Sequence, residues 1–225
     1  MSVLLNFMFY LFYCTYNKSV VKQVKRGVFM DQQVLIKKLA AEHNGTLTHN
    51  QLINNNVSSY NINLALKSGL LERTRSGIYQ ESDTTEDIFY SLQQKYKRGV
   101  YSLETALYLW DLSDQYPFSL DMTFPRGYNN ANLDLDIKAH YQIKTLQDIG
   151  ITETKSFNGN TIKVYSPERT LAEILRTVNM VDIETITNAY KTWTKSNKKD
   201  INVLMDFAKK FKVADKANSY LEVLL

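Results

Sequence analysis

Between Gln32 and Tyr79 the hydrophobic positions change period twice, and each change predicts an element. Leu35, Ile36, Leu39 and Ala40 recur at helical spacing, so the pattern predicts a first helix over Gln32–Glu42. His43-Asn44-Gly45 ends it, because glycine adopts the left-handed cap freely. Thr48-His49-Asn50-Gln51 has the spacing of a capping box, and Leu47 and Leu52 stand where a hydrophobic staple would close on it. A short second helix therefore begins there and stops in Asn54-Asn55-Asn56. Ser58 or Ser59 caps a third helix that runs to Lys67 and ends at Gly69. Leu70 to Tyr79 then reads as two short strands around a basic turn, a wing. Three short helices followed by a basic hairpin is the layout of a winged helix-turn-helix.

Beyond residue 80 the pattern mixes both periods. Helices are expected over Thr84–Tyr96 and, with Ser102 as cap, over Ser102–Leu112. Phe118–Phe124 alternates and runs into Pro125-Arg126-Gly127, Ile137–Ile143 is a second strand, and Lys155–Phe157 and Thr161–Tyr165 flank the hairpin signal Asn158-Gly159. Ser166-Pro167-Glu168 opens a helix with a capping serine, a first-turn proline and an acid at the positive end. Val181–Thr194, Asp200–Lys212 and Asp215–Leu224 make a helical C-terminus. The expected fold class is α+β: a winged helix-turn-helix over 30–80, then an α+β domain over 81–225.

Composition changes this picture at one end. Val3–Tyr16 is apolar and aromatic, yet shorter than the roughly 20 apolar residues of a spanning helix, and it lacks the basic start and cleavage site of a signal peptide. Lys25-Arg26-Gly27-Val28-Phe29-Met30 can be back-translated into a ribosome-binding site shortly before a start codon, so residues 1–29 are expected to be a leader lying outside the protein, with translation starting at Met30. That leader, with Lys18, Lys22, Lys25 and Arg26 and no acid, carries the whole net charge of +4. Residues 31–80 hold a local excess of +2 and residues 81–225 a deficit of −2, so only the local excess bears on nucleic-acid binding. The single Cys14 lies in the leader, which excludes an intramolecular disulfide and a cysteine-based zinc site and suits the cytoplasm.

On the third helix Ile62, Ala65, Leu66 and Gly69 share the inward face, and Ser59, Tyr60, Asn63 and Lys67 the outward one, with Asn61 at the flank. Asparagine can pair with adenine, and lysine and hydroxyls with phosphate or guanine. Arg73 and Arg75 on the wing can enter the minor groove or clamp the backbone. Thr48, His49 and Asn50 open the second helix, whose free N–H groups attract phosphate. The alternative reading of the same residues is ordinary solvated positions, and winged helices also bind proteins; DNA binding is the reading preferred. With so small a basic patch on a neutral body, paired sites or added contacts from the second domain are expected for tight DNA binding.

Enzyme chemistry has weaker footing. Asp134-Leu135-Asp136 would set two carboxylates on one strand face, and Glu153-Thr154-Lys155 added to Asp136 gives a loose metal-nuclease pattern. His43, His49 and His140 have no metal-ligand spacing. Glu168-Arg169 is best read as a buried structural ion pair. No cofactor and no metal is called for; the alternative kept open is a winged-helix-targeted, metal-dependent nuclease.

Several blocks resemble the AbiEi antitoxin family, in the family's order. These are Gly69-Leu70-Leu71-Glu72-Arg73 through Gly77-Ile78-Tyr79, Tyr101-Ser102-Leu103-Glu104-Thr105-Ala106-Leu107 with Leu112 to Pro117, Thr123 to Tyr128, and Gly159-Asn160 with Val164 to Leu171. The similarity spans Asp31 to Arg176; Ala172-Glu173 departs from it, where an Asp is expected. The resemblance implies the antitoxin of a type IV toxin–antitoxin, abortive-infection system acting in phage defence. Such a protein represses its own operon by binding promoter inverted repeats in double-stranded DNA. It counteracts a nucleotidyltransferase toxin, a functional partner that it need not bind stably. It implies neither an enzyme nor a membrane protein.

Overall fold

The computed structural model describes residues 32–129 and 133–225; the leader reading of residues 1–29 lies outside them. The chain divides into two units between Ser91 and Leu92.

The first unit opens with helix α1 (residues 32–42), whose Ile36, Leu39 and Ala40 are buried. Asn44 and Gly45, both at positive φ, end it, and Gly45 N–H donates back to the Ala40 carbonyl. Strand β1 (Thr46–Thr48) follows, then α2 (His49–Asn54), α3 (Ser59–Lys67), β2 (Leu71–Arg75) and β3 (Ile78–Glu81). The expected capping box is present: Thr48 Oγ1 accepts from the Gln51 N–H, and the Gln51 side chain accepts from the Thr48 N–H. Ser58, rather than Ser59, caps α3. Leu47 and Leu52 are fully buried in one core with Val57, Ile62, Ala65, Leu71 and Tyr79.

The sequence pattern missed β1. With three residues it has no alternation to detect, yet it pairs antiparallel with β3 and makes the wing a three-stranded sheet in the order β1-β3-β2. The helix expected from Thr84 also starts later, as α4 (Ile88–Lys95). Thr84 turns its hydroxyl back onto the Glu81 carbonyl and accepts from Gln80, and buried Asp87 takes the capping role, accepting from the Tyr90 N–H.

In the second unit β4 (Val100–Tyr101), β5 (Leu120–Pro125), β6 (Ile137–Gln142), β7 (Ile151–Lys155) and β8 (Thr161–Tyr165) form a mixed sheet in the order β6-β5-β4-β8-β7. Pairs β5–β6 and β4–β8 are parallel, and β4–β5 and β7–β8 antiparallel. The Asn158-Gly159 hairpin exists, but its first strand is Ile151–Lys155 and not Lys155–Phe157. A wider loop is closed by Ser156, whose Oγ accepts from the Asn160 N–H. Phe118 stands before β5 and is fully exposed.

Helices α5 (Leu103–Leu109), α6 (Lys144–Gln147), α7 (Pro167–Ile174), α8 (Ile183–Thr194), α9 (Ile201–Lys210) and α10 (Ala214–Leu224) complete the unit. Their core joins Leu103, Leu107, Leu171, Tyr190, Trp193, Leu204, Phe207 and Leu221. Ser102 precedes α5 but caps nothing, because its Oγ accepts from the buried Thr123 hydroxyl instead. The α+β class is as expected.

Candidate nucleic-acid interface

The outward face of α3 is built by its inward one. Ile62 and Ala65 are buried, which turns Ser59, Tyr60, Asn63 and Lys67 to solvent; Tyr60, a large aromatic, is 70% exposed. An exposed tyrosine beside an amide and an ammonium on one helix face can stack, pair with a base edge and contact phosphate. Asn61 does not join them. Its side chain donates to Gln32 Oε1 on α1 at 3.2 Å, and its N–H donates to Ser58, so it ties α3 to α1.

At the start of α2 the free N–H groups expected to attract a phosphate are partly consumed. Thr48 is occupied by its capping box, and the His49 N–H donates to the Gly77 carbonyl at the wing turn, 2.7 Å away. What α2 offers is the His49 ring, whose Nδ1 lies 3.5 Å from the Tyr79 hydroxyl, and the exposed Asn50.

The wing separates its two arginines. Arg73 is exposed, with its guanidinium 5.9 Å from the centroid of the Tyr79 ring. Arg75 is only 15% exposed, with Nε 3.4 Å from a carboxylate oxygen of Glu86. The structure thus gathers His49 and Arg73 around Tyr79 and sets Ser59, Tyr60, Asn63 and Lys67 on one helix face, while Thr48, Asn61 and Arg75 have partners within the unit. Tyr79 was not among the sequence-derived candidates. A bulge between Arg73 and Arg75 shifts the hairpin register so that Arg73, not Thr74, faces it.

The carboxylates weighed for nuclease chemistry are arranged differently from the expectation. Asp134 and Asp136 precede β6 in a turn and share no strand face. Asp134 is held by Lys95 at 2.7 Å, and its N–H donates to the Tyr96 hydroxyl. Glu153 and Lys155 lie on β7. Among the described residues no group of three or more His, Cys, Asp or Glu could hold a metal ion.

Glu168 and Arg169 are not an ion pair. Glu168 accepts from the Trp193 indole N–H, and fully buried Arg169 pairs with Glu173 one turn on, at 3.5 Å. Adjacent helical residues point about 100° apart, whereas residues four apart share a face. A further polar pair that the sequence did not suggest joins β5 to β6: His140 Nε2 sits 2.6 Å from buried Asp121, which Lys138 also approaches at 3.8 Å. The Lys138 ammonium and the His140 ring thus give this buried carboxylate two partners on the neighbouring strand.

A small three-helix module with a three-stranded wing is a winged helix-turn-helix, a fold found among DNA-reading domains. Residues 34–82, almost the whole of this module, match the family model described as "Transcriptional regulator, AbiEi antitoxin". The resemblance read from the sequence is thereby borne out over these residues, and the match supports an antitoxin or transcriptional-regulator role. Among solved structures the chain is similar to the crystal structure of RV2827C protein from Mycobacterium tuberculosis, at 9% identity over 87% of this chain and 81% of that one, with a TM-score of 0.43. No curated protein matches. Among the described residues no helix is long and apolar enough to cross a membrane.

Proposed function

We propose that this protein is the antitoxin of a bacterial type IV toxin–antitoxin pair, acting in the cytoplasm as a repressor of its own operon and counteracting a nucleotidyltransferase toxin in abortive infection of phage-infected cells. The observation that carries the regulatory half is the exposed face Ser59, Tyr60, Asn63 and Lys67 on α3, beside Arg73 of the wing, within the AbiEi-matching segment. Asn63 and Tyr60 would read base edges of promoter inverted repeats, and Lys67, Arg73, His49 and Asn50 would hold phosphates. The toxin half rests on the family resemblance, and the second unit would supply it without requiring a stable complex.

A mobility shift on the upstream promoter tests the reading. Asn63→Ala/Lys67→Ala should abolish the specific shift, since one bidentate base pair contributes about 1–3 kcal/mol. Retained specific binding would remove α3 as the reader. Plasmid cleavage with Mg²⁺, lost in Asp136→Ala, would overturn the regulator reading in favour of a nuclease. If a nucleotidyltransferase toxin is encoded beside it, co-expression of this protein with that toxin should restore growth, and the Asn63→Ala/Lys67→Ala variant should still do so.

A further inference from the structure

Tyr79 occupies an unusual place for a core residue. It lies on the central strand of the wing sheet, opposite Leu47 on one side and Arg73 on the other, and is 5% exposed. Its two ends meet the two candidate phosphate contacts that come from different elements. The ring carries the Arg73 guanidinium at 5.9 Å, within the range over which a cation is attracted to an aromatic face. The hydroxyl lies 3.5 Å from His49 Nδ1, and the two rings are tilted at 44° with centroids 6.4 Å apart. A second tie, from the His49 N–H to the Gly77 carbonyl, holds the same junction. Gly77 itself sits at φ +73°, where a β-carbon would come within 3.8 Å of that of His49.

We infer that Tyr79 is a positioning residue that couples His49 of α2 and Arg73 of the wing into one phosphate-gripping unit. The inference rests on the reading of this face as the DNA surface. Long side chains that must be immobilised on binding weaken affinity, and holding them beforehand restores it. Tyr79 holds both from a buried position, so its own atoms need not touch DNA.

The test is a double-mutant cycle on operator binding with the full chain, read with thermal melting of each variant. Tyr79→Phe keeps the ring and its packing and removes only the hydroxyl. It should weaken binding by about fivefold, the scale of one neutral hydrogen bond. The slope of log K against log salt should not change. Arg73→Ala should lower that slope by about 1, as loss of one phosphate contact does. In a His49→Ala background Tyr79→Phe should add nothing. A purely structural tyrosine would shift the melting temperature and leave this non-additivity absent. Wild-type affinity in Tyr79→Phe, or losses that simply add, would overturn the inference while leaving the repressor reading intact. Absence of any specific binding by the wild-type protein would overturn both.

Discussion

Replacing Arg169 with methionine should unfold the second unit at a markedly lower temperature. Arg169 is fully buried, its Nη1 donates to the carbonyls of Leu146, Gln147 and Ile149, and its guanidinium stacks 3.2 Å over the Tyr165 ring. Burial lowers its pKa, while Glu173 is the largest influence favouring the charge. Methionine fills most of the volume but strands Glu173, which is 3% exposed. Breaking a buried pair by removing one partner costs about 3–5 kcal/mol. Gln142, donating to Glu173 at 2.5 Å, and Arg176 at 3.9 Å soften the loss toward the lower figure. With an unfolding entropy of about 2.1 cal/mol/K per residue, a unit of this size should melt roughly 10–15 °C lower. Both tryptophans, Trp110 and Trp193, belong to this unit, so their fluorescence reports it alone. The ion pair is not ideal: Arg169 Nη2 and Glu173 Oε2 have no hydrogen-bond partner among the described residues. Arg169→Met/Glu173→Leu should therefore recover much of the loss. A single variant melting within about 3 °C of wild type, corresponding to less than about 1 kcal/mol, would refute the reasoning, as would a double variant less stable than the single.

Gly150→Ala should act at the same place, because Gly150 has φ +66° and an added β-carbon would lie 2.8 Å from Phe207 and 2.9 Å from the Arg169 Cδ; a melting temperature at or above wild type by tryptophan fluorescence would contradict it. Arg73→Ala should reduce the salt dependence of DNA binding more than Arg75→Ala, since Arg75 is already paired with Glu86, and the reverse order in a salt titration would be the contrary result. Burial raises the phenols of Tyr90, Tyr165 and Tyr190 above the ordinary 10.0. The unfolded chain then releases these protons before the folded one, so their contribution is intact below pH 10 and is lost as pH rises beyond it. Denaturant midpoints should fall above pH 10, with part of the rise in absorbance at 295 nm delayed until the protein unfolds; free titration of all tyrosines in the folded state would count against it.

What was legible beforehand was local. The capping box from Thr48 to Gln51, a serine cap at Ser58 or Ser59 and the Ser166-Pro167-Glu168 start each depend on residues within one turn; the first and last are where the spacing put them, and Ser58 is the one of the two serines that caps. The polar face of α3 was legible for the same reason. The Arg169–Glu173 pair was within reach of helical spacing; pairing Arg169 with its neighbour Glu168 instead overlooked the i, i+4 geometry. Other features had no local signal. A three-residue strand carries no period, Thr84 and Asp87 compete as caps with nothing in the sequence to choose between them, and the bulge that sets Arg73 against Tyr79 is a property of the paired strands.

By itself the amino-acid order determined the helix-turn-helix, its caps and the face that α3 shows to solvent, because these follow from the 3.6-residue repeat and from hydrogen bonds a few residues long. Only the tertiary structure decided the strand order β6-β5-β4-β8-β7, the burial of Arg169 against Tyr165 and Glu173, and which polar residues of the wing are spent internally. Those depend on partners distant in sequence, whose meeting is governed by the global packing that desolvates them.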